Sequence, residues 1–196
     1  MKYLALLGLP TLLLSLGLVP STSPAPAPAA GTFQVDPGHS SVVFSVKHVG
    51  TSWFYGTFEE ISGSFTFDEE HPSASRVLIE IGAASINSRS KDRDGHLAGP
   101  DFFNSGEFPV IIFESSAVTK SDAGLEITGN LTLLGKTVEV VATAEHIGDG
   151  EFRGVRSGWE TRFEIQRSEF GMNYGLEQGV LGDTVRVIVS LEGVLN

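Results

Sequence analysis

The chain contains no cysteine. That excludes a disulfide scaffold and a lipid anchor attached through a modified cysteine, so stability has to come from an ordinary apolar core. Positive charge is also scarce: 13 Lys and Arg stand against 24 Asp and Glu, for a formal net charge of −11. Nucleic acids and anionic membrane surfaces both select for basic patches, so this balance argues against either as a partner. No Gly-x-Ser-x-Gly elbow marks a nucleophile, and no long helical period occurs beyond the N-terminal region.

A long apolar run occurs only at the start, from Tyr3 to Val19 with a break at Pro10, behind Met1 and Lys2. A Ser/Pro/Ala stretch follows from Ser21 to Ala30, and the whole reads as a secretory leader with a small-residue cleavage region. Ala27 and Ala29 fit an A-x-A site, which divides the chain into a leader over residues 1–29 and one domain over residues 30–196. The run is just short of the roughly 18 to 20 apolar residues that span a bilayer, which leaves an uncleaved anchor as the alternative. With cleavage, no stable membrane insertion is expected and the protein would be periplasmic or secreted. The remaining length, about 167 residues, suits a single domain with a large core.

That remainder alternates at period 2 almost throughout. Val42, Phe44, Val46 and His48 share one face of a strand; Phe54, Gly56 and Phe58 share another, as do Phe65 and Phe67, and Val77, Ile79 and Ile81. Leu125, Ile127, Gly129, Leu131 and Leu133 alternate with polar residues, and a tight Leu134-Gly135-Lys136 turn predicts a hairpin into Val138, Val140, Ala142 and Ala144. Trp159, Thr161, Phe163 and Ile165 form one further face, and Val185, Val187, Val189 and Leu191 close the chain. The fold class is therefore all-β, with about eight mostly antiparallel strands. Periodicity alone does not separate a sandwich from a barrel. Strand length favours the barrel, as does the polar insertion over residues 87–106, where Phe102 and Phe103 could close one mouth. Gly129, Ala142, Ala144 and Thr161 are small among bulky neighbours, and they predict room inside for a ligand.

An ordered set of short motifs spans residues 33–195: Val35-Asp36-Pro37-Gly38-His39-Ser40, Gly56-x-Phe58, Gly63-x-Phe65, Arg93-Asp94-x-His96-Leu97, Asp101-Phe102-Phe103, Phe108-Pro109-x-x-x-Phe113, Gly129-x-Leu131-Thr132 and Arg167-x-x-Phe170-Gly171. Each is weak alone, but as a series the chain resembles the YceI-like family of bacterial periplasmic proteins. The resemblance implies a lipocalin-like antiparallel barrel, over which the mid-chain insertion would form a short helical or irregular lid. Its interior would bind a polyisoprenoid or another long-chain lipid, with no established catalytic residues and no cofactor. The run Trp53-Phe54-Tyr55 departs from the pattern in being unusually aromatic, which touches the ligand's identity rather than its class.

Beside that resemblance, the candidate lining positions are Phe44, Val46, His48, Phe54, Phe113, Leu131, Phe163 and Ile165, with Phe102 and Phe103 at the lid. The bland alternative is that these side chains simply fill a core. Arg93, Asp94, His96 and Arg167 are candidates for pinning the lid or meeting a head group. In the pinning role Asp94 would take backbone amides and Arg93 a carboxylate. His39, His48 and His96 do not make a metal site: His39 and His48 sit about 30 Å apart along one strand at roughly 3.3 Å per residue. An extracytoplasmic enzyme using His48 or His96 as general base, and a filled structural or stress-response barrel, stay open as alternatives. Association into a homodimer is left undecided by the acidic, Phe-rich surface.

Overall fold

The computed structural model describes residues 31–68 and 70–196, so the expected leader and its cleavage site lie outside the described residues. Eleven strand segments follow one another: β1 (Phe33–Val35), β2 (Ser41–His48), β3 (Ser52–Phe58), β4 (Ile61–Thr66), β5 (Arg76–Gly82), β6 (Ile86–Asn87), β7 (Val110–Ser121), β8 (Gly124–Leu133), β9 (Lys136–Glu151), β10 (Val155–Gln166) and β11 (Leu181–Leu195). One short helix, α1 (Lys91–Leu97), interrupts them. All pairings are antiparallel.

Three pairs of segments are single strands bent in the middle. β1 and β2 lie in succession along β11, with Phe33 opposite Leu195 and Val46 opposite Val185. β3 and β4 likewise follow one another along β2 and β1, and β5 and β6 along β4 and β3. The eleven segments therefore make eight strands, and the pairing of β1 with both β4 and β11 closes them into a barrel. Closure leaves no continuous exposed edge.

Alternation explains which residues face inward. Along β8, Leu125, Ile127, Gly129, Leu131 and Leu133 are buried while Glu126 and Asn130 are exposed. The hairpin at Leu134-Gly135 forms as expected, both residues taking positive φ (53° and 69°) in the manner that matches strand twist.

The two ends of the barrel differ. At one end an aromatic series crosses the interior, with ring centroids 5.5 Å apart for Phe33 and Phe65, 5.4 Å for Phe65 and Phe67, and 4.2 Å for Phe67 and Trp159. Such contacts add to the area these rings bury and plug this end. Outside the plug, Arg156 bridges Asp36 (2.7 Å) and Glu192, and the Asp36 carboxylate also meets His39 at 3.0 Å. These partners hold Asp36 at a pKa of about 2. Asp36, His39 and Glu192 are close enough to share an ion, but the Arg156 guanidinium already bridges the two carboxylates.

At the other end the wall is incomplete. β6 pairs only with Thr57 and Phe58, so Ser52–Gly56 of β3 has a strand partner on one side only. The chain leaves the wall after Asn87 and rejoins it at Val110, and residues 88–109, including α1, form the lid over that gap. No helix among the described residues is long and apolar enough to cross a membrane.

Candidate ligand-binding cavity

Beneath the lid lies a cavity of about 510 Å³. Val42, Phe44, Val46, Phe54 and Phe58 form one wall, Val185 and Val187 continue it, and Phe163, Ile165, Leu131, Leu133, Ile111 and Ile81 close the circle. The lid contributes Leu97, Phe102 and Phe103, the last meeting Phe58 edge-on with centroids 5.2 Å apart. On five of the strands the cavity stops short of the next inward residue. Ile81 lines it but Ile79 does not, Ile111 but not Phe113, Leu131 but not Gly129, Phe163 but not Thr161, and Val187 but not Val189.

Phe113 therefore lies one inward position below the lining, opposite Leu131 and Ile79. Its ring rests on Gly129, where a Cβ would come within 2.4 Å of Phe113 Cζ. The expectation that Gly129, Ala142, Ala144 and Thr161 leave room for a ligand is corrected here. They are buried and none of them lines the cavity, and at Gly129 the Phe113 ring occupies the space released. The hollow arises at the other end, where the lid rather than wall closes the barrel.

The polar candidates divide. Arg93 and Asp94 clasp the wholly buried Ser88: the Asp94 carboxylate accepts from the Ser88 N–H (2.7 Å) and hydroxyl, while Arg93 donates to the Ser88 hydroxyl (2.8 Å) and carbonyl (2.7 Å). The partner of Arg93 is thus a serine and not the expected carboxylate. Asp94 does not line the cavity; it holds the start of the lid. Arg167 reaches the lining, but its guanidinium is committed to the carbonyls of Gly182 (2.8 Å), Met172 (2.8 Å) and Leu181 (3.2 Å). Burial pushes the Arg167 pKa down, with Asp183 partly opposing. It is a strut for the loop before β11 and leaves little for a head group.

His48 and His96 stand at the mouth. His96 Nε2 lies 3.1 Å from Asp101, and its ring meets Phe102 and Tyr174 edge-on. His39 is at the far end, so the three histidines are not brought together.

Sequence reasoning missed the second half of the mouth. Residues 171–180 supply Met172, Tyr174 and Val180 to the lining, and the Val49 N–H donates to the Val180 carbonyl at 2.8 Å, tying this loop to the β2–β3 turn. The glycines at 171, 175 and 179, all at positive φ, are the one signal that could have marked it as a folded loop. A second, polar hollow adjoins the first through Tyr174 and Val180, lined also by Asp101, Asn173, Glu177 and Gln178.

A closed eight-stranded antiparallel barrel, plugged at one end and hollow under a lid at the other, is the architecture of a small-molecule-binding β-barrel. Residues 33–193 match the YceI-like domain, and the chain belongs to that family. Proteins named Protein YceI from Salmonella arizonae and Salmonella paratyphi B are each 40% identical over 158 residues, 80% of this chain and 82% of theirs. The crystal structure of BcnA from Burkholderia cenocepacia superposes with a TM-score of 0.70 at 25% identity, covering 81% of this chain and 98% of that one. A polyisoprenoid-binding domain from Saccharophagus degradans shares the fold with a TM-score of 0.62 at 14% identity, covering 86% of this chain and all of that one.

Proposed function

We propose that this protein holds a polyisoprenoid, or a similar long-chain amphiphile, in the barrel interior. It would do so in an extracytoplasmic compartment, for transport, storage or stress response. The observation that carries the reading is the blind, mainly apolar cavity of about 510 Å³ under the lid. A hydrocarbon chain drawn into such a space gains about 0.8 kcal/mol per methylene removed from water, so affinity needs no further chemistry. The polyisoprenoid-binding description of a neighbour with the same fold supports this ligand class. The leader expected over residues 1–29 supports the compartment.

Recognition rests on the tail. Arg93 and Arg167, the cations that reach the cavity, are both occupied by backbone and serine oxygens. The hollow beside the mouth presents Asp101 and Glu177. An uncharged head that donates and accepts hydrogen bonds suits this setting, and a phosphate does not.

The test is native mass spectrometry, with solvent extraction, on mature protein purified from a bacterial host without detergent. A bound hydrophobic mass that fragments as a polyprenyl chain supports the reading, and a fatty amphiphile keeps the tail-binding class. A clean apo mass, unchanged after incubation with isoprenoids, overturns it. An enzymatic alternative would rest on His96 and its Asp101 partner at the cavity mouth. It requires turnover of a bound isoprenoid or quinone precursor that His96→Gln abolishes.

A further inference from the structure

We propose that Phe113, seated on Gly129, is the floor of the cavity and sets the length of tail that the barrel accepts. The inference rests on the lipid-binding reading above and adds to it a limit on the ligand.

On β5, β7, β8, β10 and β11 the lining ends with Ile81, Ile111, Leu131, Phe163 and Val187, while on β2 and β3 it runs on to Val42 and Phe58; Phe113 is the large aromatic side chain just below its end on β7. A ring folded flat onto the opposite strand needs the neighbour to have no side chain. Gly129 supplies that seat: the nearest ring atoms lie 2.4 and 2.6 Å from where a Cβ would stand. Ile79 and Leu131 are the partners of Phe113 across the β5–β7 and β7–β8 pairs, and Leu131 also lines the cavity. Below, Ile127, Val118 and Leu125 are each at most 4% exposed and continue as packed core to the aromatic plug. The barrel is hollow for only part of its length.

The volume then bounds the tail. At roughly 30 Å³ for each water-sized group, on the order of 17 methylene-sized groups fill the 510 Å³ of the cavity. This corresponds to a tail of about three or four isoprene units, and further units of a longer polyprenyl chain would remain outside the mouth. Buried carbons raise affinity about fourfold per methylene, and carbons left outside do not. The dependence of affinity on chain length should therefore break.

The experiment titrates a ladder of linear prenols, from geraniol through farnesol and geranylgeraniol to solanesol, against the delipidated mature protein. Displacement of N-phenylnaphthylamine fluorescence gives the affinities. The expected result is a steep rise to geranylgeraniol and no further gain at solanesol. Phe113→Leu lowers the floor and moves the break to longer prenols, whereas Phe113→Trp raises it and moves the break to farnesol. The two variants shift the break in opposite directions, so either one that folds, as judged by circular dichroism, decides the question. Affinity that climbs without a break to solanesol, or a break that stays in place in a folded Phe113 variant, overturns the floor assignment while leaving lipid binding intact. Failure of every prenol to bind the parent protein overturns the lipid reading itself, and this proposal with it.

Discussion

The guanidinium of Arg93 lies 4.6 Å from the centroid of the Phe54 ring, joining the lid to the part of β3 that has no strand partner on its outer side. The same guanidinium donates to Ser88, so one side chain ties α1 both to the barrel wall and to the start of the lid. A cation–π contact at an exposed residue such as Arg93 is worth about 0.5–1 kcal/mol.

Arg93→Ala is therefore expected to loosen the lid without emptying the cavity. Amide hydrogen exchange over residues 88–98 should accelerate, and bound lipid should leave faster. The amount retained at equilibrium should fall far less than in Phe113→Trp, because Arg93 holds the lid and Phe113 bounds the space. Equal loss of retained lipid in both variants would show that the lid clasp, and not the cavity volume, controls binding.

The head-group reading gives a salt-dependent prediction. A prenol should bind more tightly than the diphosphate of the same chain length, since Asp101 and Glu177 border the mouth and the chain carries a formal net charge of −11. Screening shortens the reach of that repulsion to about 8 Å at physiological ionic strength, so the gap should narrow as salt is raised. A diphosphate that binds as tightly as the alcohol at low salt would mean that a cation at the mouth is free to meet it.

Acid should weaken the plugged end of the barrel. Asp36 has its pKa lowered from 3.8 to about 2, first by Arg156 and then by His39. A depressed carboxylate contributes stability that is fully present above its unfolded pKa and is lost as pH falls through the folded one. The melting temperature should thus decline between about pH 4 and pH 2, and Asp36→Asn should flatten that limb while lowering the plateau at neutral pH. Asp68 and Asp149 are also lowered, through contacts with His71, and with Ser157 and His146, so the residual slope in the variant reports on them. An unchanged acid limb would place the linkage in those two carboxylates.

Much of the barrel was legible because its strands obey period 2. The inward sets Val42-Phe44-Val46, Phe54-Gly56-Phe58 and Leu131-Leu133 follow from the alternation of apolar residues in the sequence, although the outer face of β2 also buries Ser45. The bends were not legible. Asp36–Ser40, Glu59-Glu60 and the 3₁₀ turn Ala83–Ser85 divide strands that remain continuous in space, and nothing local announces that the chain resumes beside the same neighbour. Inward-facing residues were therefore identifiable, but the level at which the interior changes from filled to hollow was not. That level depends on how a ring such as Phe113 folds across to another strand.

Charged residues misled for a related reason. Arg167 reads as a surface cation because arginine is rarely buried without compensation, yet it is 3% exposed. Three carbonyls from the loop before β11 satisfy it, and their convergence on one point is a property of the folded loop. Phe102 and Phe103 could be assigned to the lid from composition, since two aromatic residues in a polar insertion need a greasy surface to cover.

The wall beside the lid offers the most direct test of how tightly the hollow is drawn. Gly56 faces inward on β3 opposite Phe44, and a Cβ there would stand 2.4 Å from Phe44 Cζ and 2.7 Å from Cε1. Only the far end of a side chain is in the way, so Gly56→Ala is accommodated by swinging the Phe44 ring toward the cavity it already lines. The ring moves off its partner Phe58, whose centroid is 5.7 Å away, and overpacking of this kind costs about 1–3 kcal/mol. The expected outcome is a folded protein with a lower melting temperature and a smaller hollow, releasing long prenols before short ones. Phe44→Leu in the same background restores the space by shortening the side chain that the added methyl group displaces, and lipid retention should return with it. If retention stays low in the double variant, the loss comes from a shifted β3 backbone, and Phe44 is not the side chain through which Gly56 shapes the cavity.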